Sequence, residues 1–150
     1  MASDVIDAPV VLAPAGMDEI PLMARFYTAM CAAHGDDFPE PAAAAKIGRM
    51  LTAPGQQAVL FWRGEVAVAY LMWADLGDHL FVRNYCVAEG LRGQGLGRAL
   101  FERWRATTDG RPVRLETSVE PAFRFWQALG FSEWSTGLRT DAQDASKEIP

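Results

Sequence analysis

Apolar residues recur every three or four positions in four stretches of the chain, which is the spacing of one helix face. In the first stretch Leu22, Phe26 and Met30 stand four residues apart, and in the third Leu96 and Leu100 do the same. The pattern predicts helices over residues 17–33, over residues 41–51, from residue 96 to the Gly-Arg-Pro turn at 110–112, and over residues 120–129.

Short apolar runs bounded by turn residues lie between these helices and predict strands. The turn residues at 63–64 and 76–78 separate three neighbouring runs, which favours an antiparallel meander. The predicted strands cover residues 10–13, 57–63, 65–73, 79–87, 113–119 and 131–140. This order of strands and helices predicts one α+β domain over residues 1–140. The polar residues 141–150 are predicted to be disordered.

Length and composition narrow the class of protein. The chain has 150 residues, 50% of them hydrophobic, which is enough for one buried core. An acidic start and the lack of an apolar run of about 18 residues disfavour a signal peptide and a membrane span, so we expect a cytoplasmic protein without a membrane partner. Cys31 and Cys86 are far apart and are expected to be buried thiols, and no His/Cys cluster indicates a metal site.

The net charge of −5 is unevenly distributed along the chain. Residues 92–114 hold six arginines against Glu102 and Asp109, a local charge of +4, so the remainder carries −9. An acidic protein with one basic segment is poorly suited to nucleic acid, because the phosphate backbone requires many cationic contacts. The segment either binds one small polyanion or is a solvated, arginine-rich helix face.

Three glycines stand within the seven residues LRGQGLG, Leu91–Gly97, between a predicted strand and a predicted helix. Glycine loses much conformational entropy on folding, so such a cluster needs a backbone reason. The first N–H groups of a helix have no intrahelical partner, and the helix dipole adds positive partial charge there. Arg92 and Arg98 add full charges. The predicted ligand of this loop is therefore a phosphate or a pyrophosphate.

Two common phosphate-binding motifs fit this loop poorly. The nucleoside-triphosphate loop requires a lysine followed by serine or threonine, and the segment has neither. The dinucleotide fingerprint would begin at Gly93 and requires a small residue where Arg98 stands. Glu116, near the end of the next predicted strand, lies at about the distance of the acidic ribose contact in that fingerprint. A dinucleotide-binding oxidoreductase therefore stays open as an alternative.

A better match is the pattern Arg/Gln-x-x-Gly-x-Gly/Ala, formed by Arg92, Gly95 and Gly97 and followed by AFRFWQALGF at residues 122–131. Together with the order of predicted elements, these motifs make the chain similar to the GNAT (Gcn5-related) N-acetyltransferases. The resemblance implies an α/β/α sandwich with a mixed, mostly antiparallel sheet. It implies that acetyl-CoA is the co-substrate and that a primary amine of a small molecule or peptide accepts the acetyl group.

In that family the glycine loop binds the pyrophosphate, and the pantetheine arm lies between the fourth and fifth strands, which here correspond to residues 81–87 and 113–119. A backbone N–H of the fourth strand polarises the thioester carbonyl and stabilises the oxyanion of the tetrahedral intermediate. The resemblance therefore implies a cofactor site formed by Cys86, Val87, Arg92, Gly93, Gln94, Gly95, Leu96, Gly97, Arg98 and Ser118.

The chain departs from the family pattern at positions where that family often has a tyrosine acid and an asparagine. Trp126 stands where the family often has a tyrosine acid, and an indole N–H is too weak an acid to protonate a thiolate. Val119 replaces a frequent asparagine. Tyr85 and Glu116 are the alternative catalytic candidates, because Tyr85 lies beside the expected acetyl group and burial in an apolar strand would raise the pKa of Glu116 toward that of a useful base. The structural alternatives are that Tyr85 is an aromatic residue of the core and that Glu116 pairs with a nearby arginine.

Arg83 and Asn84 interrupt a strand that is otherwise apolar, and a charge in that position needs a partner. Alternation places Arg83 and Tyr85 on one face of the strand and Asn84 and Cys86 on the other. Acceptor contacts are therefore predicted for Arg83, Asn84 and Trp126. An ion pair with an acidic side chain is an equal alternative for Arg83.

A non-catalytic relative that senses acyl-CoA is a further alternative function, because the usual tyrosine and asparagine are absent. The resemblance also allows a homodimer, since dimers are common in the family. The identity of the acceptor is not encoded in any motif of the chain.

Overall fold

One mixed sheet organises the protein, which a computed structural model describes over residues 9–92, 95–116, 120–134 and 137–140. Its strands, in chain order, are β1 (Val11–Pro14), β2 (Gln56–Arg63), β3 (Val66–Asp75), β4 (Leu80–Val87), β5 (Val113–Leu115), β6 (Ser132–Trp134) and β7 (Gly137–Thr140). Their order in the sheet is β1-β2-β3-β4-β5-β7-β6. The pairing of β4 with β5 is parallel, and every other described pairing is antiparallel.

Helices cover both faces of this sheet. They are α1 (Ile20–Ala33), α2 (Glu40–Thr52), α3 (Leu96–Arg105) and α4 (Glu120–Ala128). All four were predicted from the apolar spacing. α1 begins three residues later than predicted, because Met17–Glu19 forms a 3-10 turn in which the Glu19 carboxylate accepts a hydrogen bond from the Gly16 N–H at 2.7 Å.

Strand alternation divides the buried side chains between two cores. Tyr70 and Met72 of β3 pack with α1 and α2, whereas Ala69 and Leu71 of the same strand pack with α3 and α4. The layers are therefore helix, sheet and helix, which confirms the predicted α/β/α sandwich with a mostly antiparallel sheet. Cys31 and Cys86 are both buried free thiols, as predicted.

The end of the chain differs from the prediction of one strand over residues 131–140. β6 and β7 are two strands that pair with each other antiparallel, with Trp134 opposite Gly137, and β7 also pairs with β5. The predicted tail, residues 141–150, lies outside the described residues. None of the described helices is long and apolar enough to span a membrane.

A bidentate ion pair closes one end of the sheet. Asp75 ends β3, and its carboxylate accepts two hydrogen bonds from the Arg111 guanidinium, at 2.9 and 2.7 Å. Arg111 also donates to the carbonyl of Gly77 at 2.6 Å, so that it connects the β3–β4 turn to the segment before β5. The hydrogen bonds from Arg111 lower the pKa of Asp75 from an ordinary value of 3.8 to about 2.

We predict that Asp75→Asn lowers the stability of the protein at neutral pH and that the difference from the wild type disappears in acid. A carboxyl whose pKa is depressed by folding stabilises the protein fully above its unfolded pKa, and it loses that contribution as the pH falls toward the folded pKa. The melting-temperature difference between wild type and variant should therefore shrink between about pH 4 and about pH 2. Glu65→Gln, an exposed acid in the β2–β3 turn, is the control. A difference that does not change with pH would contradict this account.

Candidate functional site

β4 has two different neighbours along its length. It pairs with β3 from Leu80 to Val87, but its described pairing with β5 ends after three residue pairs, at Val82 opposite Leu115. Within the described chain, residues 83–87 of β4 thus have a strand on one side only, and we call this stretch the open edge. An unpaired strand edge presents N–H and C=O groups to any extended ligand beside it.

A β-bulge at Arg83 starts the open edge. Met72 of β3 lies opposite Asn84 and Trp73 lies opposite Val82, so that Arg83 is the extra residue on β4. The insertion changes the alternation, because Val82 before it and Tyr85 after it both pack in the core beneath α3 and α4. Bulges bend a strand and are frequent beside active sites.

The bulge also corrects the prediction that Arg83 shares a face with Tyr85. The exposed Arg83 side chain stacks on Phe81, with the guanidinium carbon 4.6 Å from the ring centre, and it forms no ion pair with a described residue. The predicted opposite orientations of Tyr85 and Cys86 are confirmed, since Tyr85 packs beneath α3 and α4 and Cys86 packs beneath α1 and α2.

Backbone direction along β4 decides which residues face the open edge. The N–H of Ala88 donates to the carbonyl of Val68 on β3. Because N–H and C=O groups alternate sides along a strand, those of Cys86 also point to β3, and those of Tyr85 and Val87 point to the open edge. The prediction of backbone contacts from Cys86 is therefore corrected to Tyr85 and Val87.

The glycine loop leads from β4 into the first turn of α3. Gly95 precedes this helix with φ +78°, a conformation that non-glycine residues seldom adopt, and a Cβ atom there would meet nothing within 4 Å. No side chain caps the helix, so its first N–H groups are available to an anion. Gly93 and Gln94 of the predicted site lie outside the described residues.

Gly97 allows the helix to begin close to the sheet. A Cβ atom on Gly97 would lie 3.5 Å from Val87 Cγ2 and 3.5 Å from a ring carbon of Phe125. The start of α3 is therefore in contact with the open edge. Phe125 was not predicted as a site residue, although the quoted motif at residues 122–131 contains it.

The six arginines of residues 92–114 do not form one anion-binding surface. Arg98 lies exposed in the first turn of α3, and Arg103 lies exposed in the last turn of this helix of ten residues, which is about 15 Å long. Arg105 pairs with Glu102 at 2.7 Å, and Arg111 belongs to the ion pair at the other end of the sheet.

Arg92 is bound to the strand itself. Its Nε donates to the carbonyl of Val87 at 3.0 Å, one of the backbone groups that point to the open edge. This contact holds the start of the loop against the end of β4. Positive charge at the open edge thus comes from Arg92, and positive charge at the helix start comes from Arg98.

Tyr85 lies half-buried between the open edge and α3. Its hydroxyl donates to the carbonyl of Gly97 at 2.5 Å, and its ring packs among Phe61, Phe101, Phe125 and Trp126. Burial raises the pKa of Tyr85 far above its ordinary value of 10.0. A hydroxyl with so high a pKa, whose proton is already hydrogen-bonded to a carbonyl, is a poor acid. This favours the interpretation of Tyr85 as a core residue over a catalytic acid.

Two residues on the opposite face of β4 make only weak polar contacts. Cys86 Sγ lies 3.4 Å from Met30 Sδ, and burial raises the pKa of the Cys86 thiol to about 12, so that the thiolate needed for nucleophilic attack is not formed near neutral pH. The amide of half-buried Asn84 donates only to Met50 Sδ, at 3.9 Å, among its described contacts.

Two further predicted site residues lie in environments that were not expected. Glu116 is exposed directly after β5, so it is not an acid inside an apolar strand. Trp126 is buried against Phe101 and Phe131, at ring separations of 4.9 and 5.3 Å, and is a core residue instead of a wall of an acceptor pocket. Ser118 lies outside the described residues.

Comparison with known protein families gives one match. A sequence model described as an acetyltransferase (GNAT) domain matches residues 54–133, which contain the open edge, the glycine loop and α3. No curated protein sequence matches the chain significantly.

Several solved structures with the same fold are described as acetyltransferases. One from Thermus thermophilus has a TM-score of 0.70 and 24% identity, with 87% of this chain and 93% of that chain covered. An aminoglycoside N-acetyltransferase in complex with CoA has a TM-score of 0.62 and 18% identity, with 84% and 90% covered. The ribosomal-protein-S18-alanine N-acetyltransferase from Escherichia coli has a TM-score of 0.63 and 18% identity, with 87% and 89% covered.

We predict that Gly95→Ala destabilises the protein by about 1 kcal/mol, because an alanine at φ +78° is strained in the left-handed region. Gly90→Ala is the matched control, since Gly90 lies in the same loop, has no positive φ and has open space at its Cβ position. Urea unfolding of both variants measures the difference. Equal stability of the two would show that the backbone at Gly95 relaxes without cost.

Proposed function

The chain belongs to the GNAT family of acetyltransferases, and we propose that acetyl-CoA binds along the open edge of β4 and at the start of α3. The observation that carries this proposal is the end of β4–β5 pairing at Val82, directly beside a helix start that no side chain caps. These two features offer an extended slot and an anion site in one continuous surface. The protein is accordingly an acyl-CoA-dependent N-acetyltransferase whose acceptor is unidentified.

The pyrophosphate occupies the start of α3 in this proposal. The N–H groups of Leu96, Gly97 and Arg98 lack intrahelical partners, and the helix dipole favours negative charge near them. The exposed Arg98 adds a full positive charge, and Gly95 leaves the approach free of a side chain. The predicted contributions of Gly93 and Gln94 complete this loop.

The pantetheine arm and the thioester occupy the open edge. The backbone groups of Tyr85 and Val87 point there, and Arg92 already covers the carbonyl of Val87. An N–H of this edge donates to the thioester carbonyl, and the same donor then stabilises the oxyanion that forms when the amine attacks. The predicted contact from Ser118 would come from the far side of the slot.

Acetyl transfer by direct attack forms a C–N bond to the acetyl carbon and breaks its C–S bond. The amine loses one proton, and the CoA sulfur gains one. Holding the amine and the thioester together supplies much of the acceleration. The indole of Trp126 does not supply the proton, because it is buried and is a very weak acid.

We propose Glu116 as the base that receives the amine proton. It is the first residue after β5, at the point where β4 and β5 cease to pair, and it is exposed to solvent there. Arg83 and Asn84 occupy the same level of β4, so we retain them as candidates for contact with the acceptor. An exposed base can exchange its proton with water, so it requires no further relay.

We predict that acetyl-CoA raises the melting temperature by several degrees at about 100 times its Kd and that NADH does not.

Isothermal titration then compares the acetyl-CoA affinity of Arg98→Gln with that of Arg103→Gln, which change two exposed arginines at opposite ends of α3. Loss of the charge at the helix start should raise the Kd about fivefold, and loss of the charge at the far end should leave it unchanged. Equal effects of the two variants would contradict the proposed anion site.

We further predict that Glu116→Gln lowers kcat/KM by about 100-fold near neutral pH. A panel of primary amines in a CoA-thiol release assay identifies the acceptor used for this measurement. The defect should diminish toward about pH 10, where an alkyl amine with a pKa near 10.4 loses its proton to solvent. Glu65→Gln is the control. Binding of acetyl-CoA without turnover of any amine would favour a sensing function instead.

A further inference from the structure

We infer that Tyr85 is a positioning residue that fixes the anion-binding peptide groups at the start of α3. This inference rests on the proposed acetyl-CoA site and assigns a role to the Tyr85 side chain, whose hydroxyl is bound to the Gly97 carbonyl and not to a reacting group. The hydroxyl of Tyr85, on β4, donates to the carbonyl of Gly97, in the first turn of α3, at 2.5 Å. It is therefore a direct hydrogen bond from the strand of the thioester to the helix of the pyrophosphate.

Because a peptide group is planar, a hydrogen bond that holds its carbonyl also fixes the direction of its N–H, here at the proposed anion site. The carbonyl of Gly97 and the N–H of Arg98 belong to one peptide group, and in a trans peptide they point in opposite directions. When Tyr85 holds the carbonyl, the Arg98 N–H is held pointing toward the helix start. A hydrogen bond to the carbonyl also polarises the peptide and strengthens its N–H as a donor.

Among the described residues, Tyr85 adds a side-chain hydrogen bond to the regular helical bonding at the start of α3. Gly95 and Gly97 have no side chains, and no side-chain cap is present. Glycine gives the backbone additional freedom, which a ligand would have to restrict when it binds. The approach of Gly97 to Val87 and Phe125, at 3.5 Å from its Cβ position, is what brings its carbonyl within reach of a strand side chain.

The ring of Tyr85 is itself held in place. Its centre lies 5.6 Å from that of Phe101, 6.0 Å from that of Trp126 and 6.3 Å from that of Phe61. Aromatic packing on several sides fixes the hydroxyl, so a single hydrogen bond restricts the peptide strongly. This arrangement orients the donors before the ligand arrives, which lowers the entropic cost of binding.

The experiment compares Tyr85→Phe with the wild type on two ligands, acetyl-CoA and S-acetylpantetheine, which lacks the pyrophosphate. Removal of the hydroxyl keeps the ring and should raise the Kd for acetyl-CoA about threefold to tenfold, as expected for one hydrogen bond. The Kd for S-acetylpantetheine should not change. Tyr70→Phe is the matched control, since Tyr70 is a buried tyrosine on the adjacent β3 that packs on the opposite face of the sheet, against Phe26 of α1.

The ratio of the two Kd values is measured on one sample, so a partial loss of folded protein cancels. Tyr85→Leu, which removes both the ring and the hydroxyl, should shift this ratio in the same direction. An equal loss for both ligands, or no loss for either, would overturn the inference. A wild type that binds acetyl-CoA no better than S-acetylpantetheine would instead overturn the proposed anion site. Where turnover is measured, an unchanged pH profile of kcat supports positioning, and a lost alkaline limb would identify Tyr85 as an acid.

Discussion

The early end of the parallel pairing between β4 and β5 is the constraint on which the site depends. A strand inside a sheet normally satisfies its N–H and C=O groups on both sides, and β4 does so only as far as Val82. The bulge at Arg83 bends the strand at that point and changes its alternation. The sheet thus contains its own unpaired edge in its interior, where a ligand can supply the missing partner without any change in the rest of the fold.

After the bulge, the side chains on the two faces of β4 pack against different kinds of neighbours. On one face Tyr85 and Val87 pack against α3 and α4, so the helix start is held at a fixed distance from the open edge. On the other face the Asn84 amide lies against the thioether of Met50, and the Cys86 thiol lies against that of Met30. Sulfur contacts are weak and adaptable, whereas an aromatic cluster is rigid. The rigid face supports the donor site, and the adaptable face lies toward α1 and α2.

The effect of each arginine in residues 92–114 depends on where it lies relative to the start of α3. The arginine-rich segment at residues 92–114 carries +4, but Arg105 and Arg111 are occupied in ion pairs away from the start of α3. At the site itself, Arg92 is bound to Val87 and Arg98 extends into solvent. Because exposed charges are screened within about 8–10 Å in physiological salt, position along the helix matters more than the total. In the proposed site, an anion at the helix start is therefore expected to interact with Arg92, Arg98 and the backbone.

The sequence by itself determined the helices and most strands, because apolar periodicity is a local signal. The motifs that resemble the GNAT family implied the sandwich, and the glycine spacing predicted an anion-binding loop. Only the tertiary structure decided which groups face the ligand. One inserted residue at Arg83 changed the alternation, and the backbone groups of Tyr85 and Val87, not those of Cys86, point away from β3. Glu116 is exposed because β5 ends at Leu115, and Trp126 is buried because the aromatic core surrounds it. Burial and strand register depend on residues far apart in the chain, so no local pattern contains them.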